Sequence, residues 1–271
     1  MRALEEIDRW PVEHAAAAVV TRGGIAATHG DGARAFAWAS VTKPLTACAV
    51  LVAAEEGIVD LDEAAGPERS TVRHLLAHAS GLPFEGEAPI ARPGERRIYS
   101  NIAFDVVGEL VAHRAEMPFG EYLGGAVLDP LGLASTELRG RPSQGLWGPL
   151  ADLARFGREL LAPSLVAPET LTEATEVAFP GLSGIVPGIG RYEPNDWGLG
   201  FELKSAKVPH WTGSRNSPRT FGHFGGAGTF LWVDPDAELG CAVLADRQFG
   251  DWAMAAWPPL SDAVLAEAGS R

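Results

Sequence analysis

Short apolar runs broken by turn residues mark both ends of the chain, and longer helical patterns fill its middle. Residues 14–21 and 25–29, parted by Arg22-Gly23-Gly24, read as a β-hairpin. A second hairpin is expected from 229–233 and 239–245 across Asp234-Pro235-Asp236-Ala237. Helical spacing covers 71–79, 103–114 and 150–161, the last with Asp152 near its start. The run 44–54 is almost wholly apolar and predicts a buried helix, with Pro44 accommodated in its first turn. Residues 251–268 predict a closing helix interrupted at Pro258-Pro259, and the Gly- and Pro-rich stretch 180–195 predicts a loop. Strands at both ends with helices between them imply an α+β (α/β sandwich-like) fold. Its antiparallel sheet is built from both termini and flanked by helices, with a mostly helical lobe inserted.

Charge and cysteine usage narrow the function classes. A net charge of -13 argues against nucleic acid or an anionic membrane surface as partner. The two cysteines, Cys48 and Cys241, lie in apolar settings and require no disulfide. The first ten residues hold acidic side chains and no apolar core, unlike a secretory signal, so a cytoplasmic location is expected. No apolar run reaches membrane-spanning length. Gly-x-Ser-x-Gly is absent, which removes the α/β-hydrolase arrangement, and no phosphate-binding P-loop is found.

Candidate chemistry lies in three short segments. In Ser40-Val41-Thr42-Lys43 a hydroxyl and an amine sit one helical turn apart, in a chain with only Lys43, Lys204 and Lys207 as lysines. A serine hydroxyl becomes a nucleophile when a base takes its proton, which lysine does only if burial or neighbouring cations depress its pKa toward neutrality. At a helix N-terminus, backbone N–H groups favour developing negative charge on Ser40. Tyr99-Ser100-Asn101 is the sharper signal, because a chance Tyr-x-Asn in a chain this poor in both residues has an expectation on the order of 0.03. In an extended segment its phenol and carboxamide face one cavity, ready to shuttle a proton and to fix a carbonyl. The glycine-rich stretch 221–228, with Gly222-His223-Phe224-Gly225-Gly226, runs into the apolar strand at 229, where glycines before an edge strand permit close approach of a substrate. Trp197, Trp211 and Trp232 are candidates for the cleft wall, with core packing the commoner fate. His74 and His78 are spaced i, i+4 but lack the glutamate of His-Glu-x-x-His, so no metal is expected.

In this order the three segments resemble the class C β-lactamase, DD-peptidase and family VIII esterase group of penicillin-recognising serine hydrolases. The stretches 36–43, 56–62, 72–82, 93–95, 129–133, 197–201 and 222–225 all look like that family's recurring segments. The resemblance implies a β-lactamase/transpeptidase-like fold as a single domain over 1–271. One lobe would comprise about 1–60 plus 196–271, the other about 61–195, with Ser40 and Lys43 where they meet. It implies Ser40 as the acylated nucleophile, Lys43 as the group that takes or readies its proton, and Tyr99 as the second proton-transfer group. Whether Lys43 or Tyr99 is the acylation base stays open. Asn101, His223 and Gly225 would bind substrate, and the N–H groups of Ser40 and Gly226 would form the oxyanion hole. His223 stands where the family usually carries the lysine of Lys-Thr-Gly, which replaces a permanent cation by an imidazole that is neutral or charged near physiological pH and should weaken capture of a substrate carboxylate.

The chain is short for the family, so trimmed loops and an exposed cleft are expected. The activity expected is hydrolysis of a small carboxylic ester or simple amide through a Ser40 acyl-enzyme, with no cofactor. The alternatives are a β-lactamase or D-alanyl carboxypeptidase/aminopeptidase, or a penicillin-binding sensor that acylates and stalls. The partner is a small-molecule ester, amide or β-lactam in each case.

Overall fold

The computed structural model describes residues 1–86 and 88–270. Its main sheet has six strands: β1 (Ala15–Thr21), β2 (Gly24–Gly30), β3 (Glu202–Leu203), β4 (Phe221–Gly225), β5 (Thr229–Asp234) and β6 (Leu239–Ala245). They lie in the order β2-β1-β6-β5-β4-β3, and every pairing is antiparallel. The N-terminal hairpin therefore joins the C-terminal one through β1 and β6, with Val19 opposite Cys241. Both hairpins and the α+β class follow the expectation.

The period of two along each strand sorts the side chains into two cores. Ala16, Ala18, Val20, Leu231, Val233, Ala242 and Leu244 face the larger core, with helices α1 (Thr42–Glu55), α2 (Asn101–Arg114) and α3 (Leu150–Leu161). Ala17, Val19, Phe230, Trp232, Cys241 and Val243 face the opposite side, under the 3-10 helix Arg2–Arg9 and the closing helix α4 (Asp251–Gly269). At Gly157 in α3 an added Cβ would come within 3.0 Å of Leu231 and 3.2 Å of Val20, so the missing side chain is what lets α3 lie against the sheet.

Several elements depart from the sequence pattern. α4 runs unbroken through Pro258 and Pro259. The prolines remove donors to the turn before them, but Ala253, Trp257, Leu260 and Val264 clamp the helix onto the sheet on either side of the pair. Ser261 also donates to the Trp257 carbonyl (3.0 Å) while accepting the Trp232 indole N–H (3.0 Å). Tertiary packing thus holds a direction that local propensity would break. The helix expected over 71–79 is only Val72–Leu76, and His78 beyond it takes a left-handed backbone (φ 55°). α2 starts at Asn101, earlier than expected, because the Ser100 hydroxyl caps it by accepting the Ala103 N–H (3.0 Å). The stretch 180–195 contains two short strands, Gly184–Val186 and Gly190–Tyr192, the first pairing in parallel with Arg97–Ile98. The glycine-rich segment is itself strand β4, and β5 lies inside the sheet.

α1 is buried along almost its whole length, as its apolar run predicted, with Pro44 in the first turn. Its interior hydroxyls are satisfied: Thr42 accepts the Leu146 N–H (3.1 Å) and Thr46 donates to the Pro142 carbonyl (2.7 Å). Cys48 and Cys241 are buried free thiols. Among the described residues no helix is long and apolar enough to cross a membrane.

Arg97, just before Tyr99, ties three segments together from inside the protein. Its guanidinium donates to the carbonyls of Ala77 (2.5 Å), Ala178 (2.7 Å), Phe179 (3.2 Å) and Asn195 (3.1 Å). Arg97→Met would leave those carbonyls without their donor, with the ones on Ala77 and Asn195 buried. It is expected to lower the urea unfolding midpoint by the equivalent of roughly 3–5 kcal/mol, since each unsatisfied buried group costs about 1–3 kcal/mol.

Candidate active site

Ser40 lies in a 3-10 turn, Ala39–Val41, that leads directly into α1. The turn is clamped on both sides. The Trp38 backbone N–H donates to the Leu146 carbonyl (2.9 Å) and its indole N–H to Gly148 (3.0 Å), while its carbonyl accepts the Thr229 hydroxyl (2.9 Å). Ala39 is held in a left-handed conformation (φ 47°), a strained backbone for a residue with a Cβ. Gly225 at the end of β4 presses against this turn, where an added Cβ would sit 2.5 Å from the Trp38 carbonyl oxygen and 3.2 Å from the Ala39 Cβ. Only glycine allows β4 and the Ser40 turn to meet this closely. Gly226 follows, and a Cβ there would meet open space.

The Lys43 side chain is completely buried. Its Nζ donates to Ser40 Oγ (3.2 Å), Asn101 Oδ1 (2.7 Å) and the Ser143 carbonyl (2.9 Å). None of the three acceptors carries a charge. Burial lowers the amine's pKa from 10.5 to about 7, against the pull of Asp105 and Glu85 and with a smaller push from Arg141. The Lys43 amine therefore exchanges its proton near neutrality beside a serine hydroxyl, which is what activation of a weak nucleophile requires.

Tyr99 is half-buried and lies between Lys43 and His223. Lys43 Nζ stands 4.8 Å from the phenol ring centre, and the Tyr99 hydroxyl is 3.4 Å from His223 Nε2. Burial pushes the phenol's pKa well above its usual value, opposed by a hydrogen bond with Ser40. The phenol is thus held neutral. His223 sits on β4 opposite Leu231, and its Nδ1–H donates to the Phe224 carbonyl (2.6 Å), which leaves the Nε2 lone pair for the Tyr99 hydroxyl. Burial, reinforced by Lys43, lowers the imidazole's pKa to about 3. The sequence allowed His223 to be neutral or charged near physiological pH; in this setting it is neutral.

β3 pairs only with Phe221 and Gly222, so the edge of β4 is free of a neighbouring strand from His223 onward. β4, not β5, is the strand beside the site, and its open edge can receive an extended substrate.

The sequence-derived residues thus divide clearly. Ser40, Lys43, Tyr99, Asn101 and His223 converge, while Gly225 shapes the contact between β4 and the serine turn. Trp197 is buried but touches the site, with its ring 5.5 Å from His223 and 5.7 Å from Tyr99. Trp211 and Trp232 belong to the core on the α4 side. His74 and His78 serve different neighbours. His74 Nδ1 pairs with the Thr71 hydroxyl (2.9 Å), whereas His78 stacks 4.6 Å from Tyr99 and accepts the Ser100 N–H at Nδ1 (3.1 Å). Among the described residues, the one cluster of metal-ligand types is Glu13, His14 and Asp246, away at the β1–β6 ends. Sequence reasoning missed Glu85, Asp105, Arg141 and Ser143. Only Asp105 had a signal, being spaced i, i+4 from Asn101 on α2.

Comparison with known proteins agrees with this architecture. The family described as Beta-lactamase matches residues 11–266. A solved beta-lactamase structure from Mycobacterium bovis superposes with a TM-score of 0.97 at 56% identity, covering 98% of this chain and 99% of that one. The unliganded simvastatin synthase of Aspergillus terreus shares the fold alone, with a TM-score of 0.83, 16% identity and coverage of 98% and 96%. A Salmonella enteritidis protein provisionally named D-alanyl-D-alanine carboxypeptidase is 22% identical over 255 residues, covering 69% of this chain and 59% of its own length. The chain thus spans about three fifths of that curated relative.

The two buried imidazoles at the site generate an acid sensitivity. Burial holds the pKa of His78 well below 6.5 and that of His223 at about 3, so the unfolded chain binds protons there that the folded chain does not. Stability is accordingly expected to fall as pH drops from about 6.5 toward 3, by roughly 1.4 kcal/mol per pH unit for each imidazole. Urea midpoints between pH 6.5 and 5, where most carboxylates remain ionised, would measure this slope. His223→Gln should roughly halve it.

Proposed function

The chain belongs to the beta-lactamase family of serine hydrolases, and we propose that it cleaves small carboxylic esters, or simple amides, through an acyl-enzyme on Ser40. The observation that carries this reading is the fully buried Lys43 amine, titrating near pH 7, at 3.2 Å from the Ser40 hydroxyl. Lys43 is the acylation base in this reading, because Tyr99 is pushed upward in pKa and its phenolate is scarce at neutral pH.

The amine takes the Ser40 proton as Oγ attacks the substrate carbonyl carbon. The oxyanion is held by the backbone N–H groups of Ser40, in the first turn leading into α1, and of Gly226, beside the close contact at Gly225. The C–O bond to the alcohol breaks as Tyr99 donates its proton to the leaving oxygen, and the Lys43 ammonium restores the phenol. Water then attacks the acyl carbon by the reverse sequence, which yields the acid and frees Ser40. Asn101 holds the amine through Oδ1.

The neutral His223 supports esters over substrates that must be gripped by a carboxylate. The buried imidazole on β4, with its pKa at about 3, supplies no cation beside the open strand edge. β-Lactam hydrolysis is a second reading, favoured by the Mycobacterium bovis structure, described as a beta-lactamase at 56% identity.

Short-chain nitrophenyl esters are expected to be turned over steadily, with kcat/KM rising through a midpoint near pH 7 and levelling above it as the Lys43 amine deprotonates. Ser40→Ala should abolish turnover, and intact-mass measurement should find the acyl group on Ser40 in the unmodified enzyme. Rapid nitrocefin opening with slow ester cleavage would favour the second reading. A stable penicillin adduct without turnover would make the protein a sensor. His223→Lys is expected to lower KM for carboxylate-bearing substrates, and no change would remove the carboxylate argument.

A further inference from the structure

Lys43 and Asn101 are backed by a ring of charged side chains that comes from three separate parts of the chain. Asn101 accepts the Lys43 proton through Oδ1 and donates through Nδ2 to Glu85 Oε1 (2.9 Å). Arg141 binds both Glu85 oxygens (3.0 and 3.2 Å) and also pairs with the Asp105 carboxylate. Asp105 in turn accepts the Ser143 N–H (3.2 Å), and the carbonyl of that same Ser143 accepts the Lys43 amine (2.9 Å). The circuit closes on Lys43 from both sides. Asn101 and Asp105 lie one turn apart on α2, and Arg141 and Ser143 lie two residues apart on the facing loop.

We propose that Glu85, Asp105 and Arg141 are positioning residues for the acyl transfer: they aim Asn101 and the Ser143 carbonyl at the Lys43 amine and set the field in which that amine gives up its proton. The inference rests on the proposed role of Lys43 as base.

Two carboxylates against one guanidinium leave the ring with one net negative charge, which opposes the burial that depresses the lysine. The groups that face Lys43 from the other packed elements carry no compensating charge. Tyr99 is held neutral, and His78 and His223 are buried with lowered pKa values. Ser40 and Asn101 are uncharged. Glu85, Asp105 and Arg141 are therefore the ionic groups left to act on the amine, and the same three act on it electrostatically, the carboxylates raising its pKa and the guanidinium lowering it. All three sit at the protein surface to different degrees, with side-chain exposures of 45% for Glu85, 14% for Asp105 and 41% for Arg141. A buried base is thus tuned from a position that water reaches.

The test uses charge changes of opposite sign. Arg141→Gln leaves two uncompensated carboxylates, whereas Asp105→Asn and Glu85→Gln each delete one. Glu85→Gln still offers an oxygen to Asn101. With only three lysines in the chain, 13Cε-lysine NMR titration reads Lys43 directly, beside the pH profile of nitrophenyl ester kcat/KM. The Lys43 midpoint and the acid limb are expected to rise in Arg141→Gln and fall in the two carboxylate variants, by roughly half a unit to one unit in each direction. KM should change less than kcat, and Arg141→Lys should restore most of the shift. A midpoint that stays fixed in every variant, or that moves the same way for both signs of charge, overturns the proposal, because a merely structural loss gives either pattern. Should the NMR midpoints move as expected while no ester is turned over, the ring stands and the ester reading fails. Should esters be turned over with identical Lys43 midpoints, the reverse holds.

Discussion

The rest of the site depends on one amine placed where water cannot reach it. Lowering a lysine's pKa from 10.5 to about 7 means that the charged form is disfavoured by on the order of 5 kcal/mol relative to solution. A fold sustains that only if the amine's surroundings are satisfied yet weakly charged. Here Nζ has three neutral acceptors, and the helix that carries it is buried from Thr42 to Ala53. A carboxylate in direct contact would have stabilised the ammonium and removed the base. The charges that do matter act through Asn101 and the Ser143 peptide.

Beside this amine the protein keeps one phenol and two imidazoles neutral by the same means. His78, Tyr99, Trp197 and His223 form a packed aromatic cluster with centre-to-centre distances of 4.6 to 5.7 Å. Burial within the cluster raises the phenol's pKa and lowers those of both imidazoles, so one physical cause sets three protonation states. A fully buried ion pair lies one strand away. Glu202 on β3 binds Lys207 (2.5 Å), His210 (2.8 Å) and the Trp211 indole (2.6 Å). Burial would raise that carboxyl, but His210 and Lys207 outweigh it and hold it below the usual carboxylate range. Its contribution is to fix the short strand that stops pairing at Gly222 and leaves the edge beside His223 open.

The two-faced sheet explains how these parts are brought into register. Alternate residues of β1, β5 and β6 are committed to opposite cores, so a one-residue slip would expose both apolar sets at once. β4 inherits that register through its pairing with β5, which places His223 opposite Leu231 and Gly225 opposite Thr229. Thr229 then bonds the Trp38 carbonyl and locks the strand to the serine turn.

Periodicity alone determined the two terminal hairpins, the buried helix after Ser40 and the helices at 103–114 and 150–161, because each signal lies within a few neighbouring residues. Residue chemistry at fixed spacing also singled out Ser40, Lys43, Tyr99 and Asn101, since the hydroxyl–amine pair and the phenol–amide pair are each local, whereas His223 was marked by the family resemblance. Only the tertiary structure decided that His223 is neutral, because its state follows from burial by Tyr99 and Trp197, which are distant in sequence. It also decided that α4 passes through Pro258-Pro259, where contacts with the sheet outweigh lost backbone hydrogen bonds. The ring of Glu85, Asp105 and Arg141 was invisible for the same reason. Its members lie 20 and 36 residues apart along the chain (85 to 105, 105 to 141), and the electric field that joins them to Lys43 depends on distance in space, which no local pattern of residues encodes.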